Sequence, residues 1–185
     1  MPYPLTKVSF PDELLSGDEG FRRLRTDNGE AGFFEGKQFY IAYEFDLSET
    51  ANRRVIEVII GGDIILTKSS LEVDQGGVRY SLVIGGTASG TFSESIPVIP
   101  KNSMSDTPAY SSFMTFNVGG DVIGGTERPI SRVRTASGNN ARANAISDTN
   151  ENRGFTSTTV HLVLEDLVGV NDDSLGILNL EWEER

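Results

Sequence analysis

The sequence predicts an all-β protein, an antiparallel β-sandwich that carries an extended N-terminal arm, with a pattern of strands and turns that a jelly roll and an immunoglobulin-like sandwich share. Apolar residues recur at every second position in successive short segments, as in Phe39, Ile41, Tyr43 and Phe45 or Val78, Tyr80, Leu82 and Ile84. That is the pattern of strands with one buried and one wetted face. Turn signals, many of them among the 20 glycines, follow one another roughly every eight to twelve residues and leave no stretch long enough for a crossover helix.

A chain of 185 residues has room for one ordinary core. Its net charge of −11 repels phosphate backbones and anionic lipid, so neither nucleic acid nor a membrane is expected as a partner. It has no cysteine, hence no disulfide framework and no thiolate metal site. The opening MPYPLTKVSFPDELL has no cationic start followed by an apolar run, so no secretory leader is expected and synthesis in a cytoplasm is.

Residues 1–37 show neither helical nor strand periodicity, and Pro2, Pro4 and Pro11 punctuate them. That composition fits an ordinary extension lying over the sheet or an arm that orders against another subunit, and the docking arm is the expectation carried forward. Tyr3, Leu5, Phe10, Leu14, Phe21, Arg22 and Arg23 are its candidate contact residues.

The sandwich is expected over 38–185. Its first strand begins at Gln38, and SETANR turns the chain into a second over 54–60. Short strands are predicted at 64–67 and 71–74, separated by a turn at KSS, and DQGG leads into the strand with Val78. GGTASG is expected as the next turn. Pro97 and Pro100, which lack an amide donor, then place 96–99 at a sheet edge, where both are candidate partner contacts. Met114, Phe116 and Val118 mark another strand, GGDVIGG a turn, and Ile130 and Val133 a strand that also carries Arg128, Arg132 and Arg134. Residues 136–154 are polar without an apolar period and are expected to be a long surface loop. Val160, Leu162 and Leu164, then Leu178, Leu180 and Trp182, close the sheet.

No reactive constellation stands out. His161 is the only histidine and is expected at a surface or edge position with a structural role, because a triad or a zinc site would need partners nearby. Glu44, Glu57, Glu72, Glu165, Glu181 and Glu183 fall on the wet positions of alternating strands, so a solvated face is preferred to a glycosidase pair. Asp172 and Asp173 lack the spacing of a calcium loop. The glycine pairs carry no P-loop Lys-Ser/Thr and are expected to be turns. Most of the aromatics from Phe33 to Tyr43 are expected in the core, which leaves Tyr40 and Phe34 for any sugar platform. No catalytic residue, metal or cofactor is expected.

Six segments, GFFEGKQF (32–39), LEVDQGGVRY (71–80), GGTASGTFS (85–93), PVIPKNSMS (97–105), GGTERPISRVR (124–134) and LNLEWEER (178–185), together resemble the short virion structural proteins of tailed bacteriophages, notably short-tailed, podovirus-like ones. The resemblance implies a non-enzymatic particle component with a jelly-roll body. Its expected role is capsid decoration: a homo-oligomeric cement protein that binds the major capsid protein through its arm and a sheet edge. The alternative it leaves open is a tail- or fibre-associated adhesion module that presents loops to a host surface glycan.

Overall fold

The computed structural model describes residues 15–16, 23–24, 37–48, 51–101, 111–135, 143–147, 153–167 and 173–185. Every regular element among them is a strand. The chain divides into two units, 1–31 and 32–185. In the first, β1 (Leu15–Ser16) and β2 (Arg23–Leu24) pair antiparallel, so a stretch expected to lack strand structure contains a short ladder. Tyr3, Leu5, Phe10, Leu14, Phe21 and Arg22 lie outside the described residues, and Arg23 belongs to β2.

The second unit holds β3 (Gln38–Leu47), β4 (Arg53–Ile60), β5 (Ile64–Gln75), β6 (Gly77–Ile84), β7 (Thr87–Ser95), β8 (Ile99–Pro100), β9 (Met114–Ile123), β10 (Thr126–Arg134), β11 (Ala143–Ser147), β12 (Arg153–Phe155), β13 (Thr158–Asp166) and β14 (Ser174–Glu184). They form two antiparallel sheets. The first has the order β10-β6-β13-β4-β9-β7; the second has β11-β5-β14-β3-β8, with β12 also paired to β5. The pairs are nested: β3 lies beside β14, β4 beside β13, β5 beside β11 and β12, and β6 beside β10. A long hairpin rolled up on itself produces that nesting, and it is the jelly-roll arrangement of two sheets.

Alternation sets the core. Phe39, Ile41, Tyr43, Phe45 and Leu47 of β3 face Ile56, Val58 and Ile60 of β4 and Val160, Leu162 and Leu164 of β13 in one cluster between the sheets. Trp182 joins the two layers, with its ring 5.9 Å from Phe39 and 5.4 Å from Phe116. Its indole N–H donates to Glu184 at 3.2 Å. That buried carboxylate also accepts from the Ser112 hydroxyl at 2.5 Å and from the Phe113 amide at 3.2 Å. The indole's polar edge is thereby satisfied inside an apolar core.

Between β5 and β6 the chain crosses from one sheet to the other at Gly76, which has φ +79°. A Cβ there would lie 2.2 Å from the Ser174 Oγ. Buried Ser174 accepts from the Gly77 amide at 2.9 Å and donates to Asp166 at 2.6 Å, which ties the corner to β14 and β13. Only glycine satisfies both the backbone angle and the space.

Several expectations are corrected. Lys68, Ser69 and Ser70 are not a turn: β5 runs unbroken through them because β14 and β11 pair on either side. Residues 136–154 are not all loop, since β11 and part of β12 fall within them and extend the second sheet beside β5. GGTASG and GGDVIGG are mostly strand. The pairing keeps one register through both glycine pairs, with Ile84 opposite Thr126 and Thr87 opposite Ile123. One long antiparallel ribbon, bent at its glycines, thus supplies β6–β7 and β9–β10. Glu183, expected to be wet, is buried.

That ribbon adds a partial third layer. β9 pairs with β4 through residues 114–118 only. Beyond them Val122, with Phe92 of β7 packed alongside, clusters with Val55, Val83 and Val163 on the outer face of the first sheet. Gly120, at φ +48°, allows the overlay, because a Cβ there would meet the Phe92 ring at 2.6 Å. His161 lies under this cover at 1% exposure, with Phe92 6.2 Å away ring to ring. It occupies the middle of the sheet, between Glu57 of β4 and Val83 of β6, rather than the expected surface or edge position.

Candidate interaction surfaces

The segment 96–101 forms a seam between the sheets at one side of the sandwich. Buried Ile96 donates its amide to Phe116 of the first sheet at 2.9 Å, and Lys101 donates its amide to Gln38 of the second at 2.8 Å. Between them β8 makes a two-residue ladder, Pro100 opposite Phe39 and Ile99 opposite Tyr40, at the edge of the second sheet. Proline cannot donate to a further strand, so the edge is blunted. Pro97 is exposed, and Ile99 keeps 37% of its surface in solvent. These edge prolines are the sequence-named contact residues that the structure brings together on one surface.

Glu181 clamps the seam from the neighbouring strands. Lys101 bonds its carboxylate, and Lys68 stands 3.5 Å away. Burial alone would raise the Glu181 pKa; the Lys101 hydrogen bond and charge, aided by Lys68, outweigh it and hold the carboxyl below its ordinary value.

Beside Pro97 a groove of about 380 Å³ is lined in part by Tyr43, Glu44, Glu94, Ser95 and Asn179. Burial, then the nearby Glu94 charge, raises the Tyr43 pKa, and Arg54 opposes them. The phenol therefore stays protonated and able to donate. Two carboxylates, an amide, a hydroxyl and a phenol make this a hydrogen-bonding groove. Among the described residues no group of three or more histidine or acidic side chains could hold a metal ion.

At the opposite side, the outer face of the first sheet carries a row of alternating charges. Asp121 bonds Arg53; Arg53 lies 3.4 Å from Glu165; Arg79 reaches Glu165 at 3.5 Å and Glu127 at 2.5 Å. The row ends at β10, whose bulge between Pro129 and Ser131 re-aims its side chains so that Arg132 stands directly opposite Arg79. The sequence shows the β10 arginines, but the long-range register that brings Arg79 to them has no local signal. His161 was visible as a lone histidine. Its burial follows from the ribbon overlay, which alternation alone does not reveal.

The sequence matches no protein-family model, and no curated protein matches it.

Proposed function

We propose that the chain is a non-enzymatic virion structural protein that decorates a bacteriophage capsid and stabilises the shell by binding the major capsid protein. The observation that carries this reading is the seam at 96–101, a proline-blunted edge that exposes Pro97 and Ile99 while anchored to both sheets. A blunted edge suits docking through side chains rather than open-ended strand addition. The resemblance to short-tailed phage structural proteins and the jelly-roll body support the same role. The mechanism is mass action: a protein that binds only the assembled shell stabilises it by its free energy of association.

Particles assembled with the full chain, with a chain lacking residues 1–30 and with Ile99→Asp test it. Loss of incorporation in both variants is expected, and density for the chain on the outside of the head should accompany the full-length protein. Undiminished incorporation of both variants overturns the docking assignment.

The groove beside Pro97 favours a second reading, a tail-associated module that binds host glycan, because carboxylates, an amide and a phenol suit sugar hydroxyls. A glycan array separates the two. A decoration protein binds no glycan there, whereas an adhesion module binds one and loses it on Glu94→Gln.

A further inference from the structure

The basic edge at β10 is unexpected on a chain of net charge −11. Arg132 lies opposite Arg79 on the outer face of the sheet, and like charges placed so are normally destabilising. Arg79 is engaged by Glu127 and Glu165. Arg132 is exposed and has no ion-pair partner among the described residues. Both line a groove of about 360 Å³ together with Pro129, Ile130 and Ser131. The buried Ser131 hydroxyl is in register with core residue Tyr80 and faces the inner side of the sheet, so the side-chain donors of the groove are the two arginines.

We propose that this groove is a carboxylate-binding site that takes a monoanionic ligand whose apolar or C–H face rests on Pro129 and Ile130. Two guanidinium groups on adjacent strands offer planar, fork-like donors matched to a carboxylate. A monoanion is favoured over a phosphate dianion because the surrounding charge of the chain penalises each added negative charge. The bulge and Pro129 interrupt the backbone edge at this point, which disfavours an added strand and favours a compact ligand group. The site lies on the strand edge formed by β10, not on the seam assigned to docking, and does not depend on that assignment.

The test follows the arginine side-chain N–H signals of the full chain by NMR at constant ionic strength. The titrants are glucuronate, the N-acetyl N-methylamide of glutamate, glucose, sulfate and inorganic phosphate. The expected result is saturable movement of the Arg79 and Arg132 signals with a carboxylate and none with glucose. Arg132→Gln is expected to weaken binding roughly tenfold, equivalent to about 1.4 kcal/mol. Arg128→Gln removes the same charge from the opposite face, since Arg128 is in register with core residue Leu82, and should change affinity less than twofold.

Response to glucuronate alone identifies an acidic saccharide as the source of the carboxylate; response to the glutamate derivative alone identifies a protein side chain. The proposal is overturned if neither carboxylate moves these signals, if sulfate or phosphate binds as tightly, or if Arg128→Gln costs as much as Arg132→Gln. Unchanged melting of each variant confirms that the fold is intact in the comparison.

Discussion

The two faces of the first sheet are made from alternate residues of the same strands, yet they are sealed in different ways. The inner face meets a whole second sheet: Ile56, Val58, Leu162 and Leu164 join one continuous cluster that reaches Trp182. The outer face meets only the bent ribbon. There Val55, Val83, Val122 and Val163 make a small apolar patch under Phe92, flanked by the ion-pair row. His161 lies in that patch with neither ring nitrogen hydrogen-bonded to the protein. The inner face has the larger area, and the Trp182 indole within it is hydrogen-bonded to Glu184. The outer has little area and an unmet polar group, so it is the part of the molecule expected to open first.

Removing the residue that joins the layers gives the largest effect. Trp182→Ala deletes the contacts with Phe39 and Phe116 and leaves Glu184 without its indole donor. A loss of about 3–5 kcal/mol is expected from the cavity alone, measured by denaturant unfolding. A loss below about 1 kcal/mol would mean that the inner face is not the principal core.

The outer face should respond to pH. Burial lowers the His161 pKa, and the Glu57 charge opposes that shift only in part. Glu57 faces it from β4; Val83 of β6 and the Phe92 ring of the ribbon bring no charge. When the ribbon lifts, the imidazole regains an ordinary value near 6.5. The open form thus binds a proton more readily than the closed one. The closed ribbon is most stable above about pH 6.5 and loses stability as pH falls from there toward the lowered value of the closed state. Amide exchange in 87–92 and 119–123 should accelerate between roughly pH 7 and pH 5.5 beyond its intrinsic pH dependence, while β13 and β14 stay protected. His161→Leu should abolish that acceleration. If the variant behaves like the parent chain, the histidine does not govern the ribbon.

The same contrast explains what could be read in the sequence. The inner face was legible because its apolar residues alternate over whole strands, from Phe39 to Phe45 and from Val160 to Leu164. The continuity of β5 was not, because Lys68, Ser69 and Ser70 look like a turn and are held extended by ladders on both sides. β11 has only Ile146 as a bulky apolar residue and owes its place to backbone pairing with β5. The outer patch was hidden for a related reason. Val55, Val83 and Val163 sit on the alternate positions that a two-layer sandwich leaves wet, and only the fold-back at Gly119 and Gly120 covers them. Among the interaction surfaces, Pro97 and Pro100 were visible through their missing donors, whereas the meeting of Arg79 with Arg132 required knowledge of which strands pair.

The smallest effect is expected where the ribbon is fastened by charge alone. Asp121 bonds Arg53 and also accepts from the Val122 amide at 2.7 Å. Asp121→Asn keeps an oxygen for that amide and removes only the charge. The Asp121 side chain is 54% exposed and that of Arg53 34%, so solvent screens the pair and a loss of about 0.2–1 kcal/mol is expected. Because Arg53 also lies beside Glu165, the Arg53→Gln single variant should cost more than Asp121→Asn, and the coupling between them in a double-mutant cycle should shrink as salt is raised. A coupling that persists at 1 M salt, where screening acts over only about 3 Å, would show that packing of Val122 and Phe92, rather than charge, is what fastens the ribbon at this end.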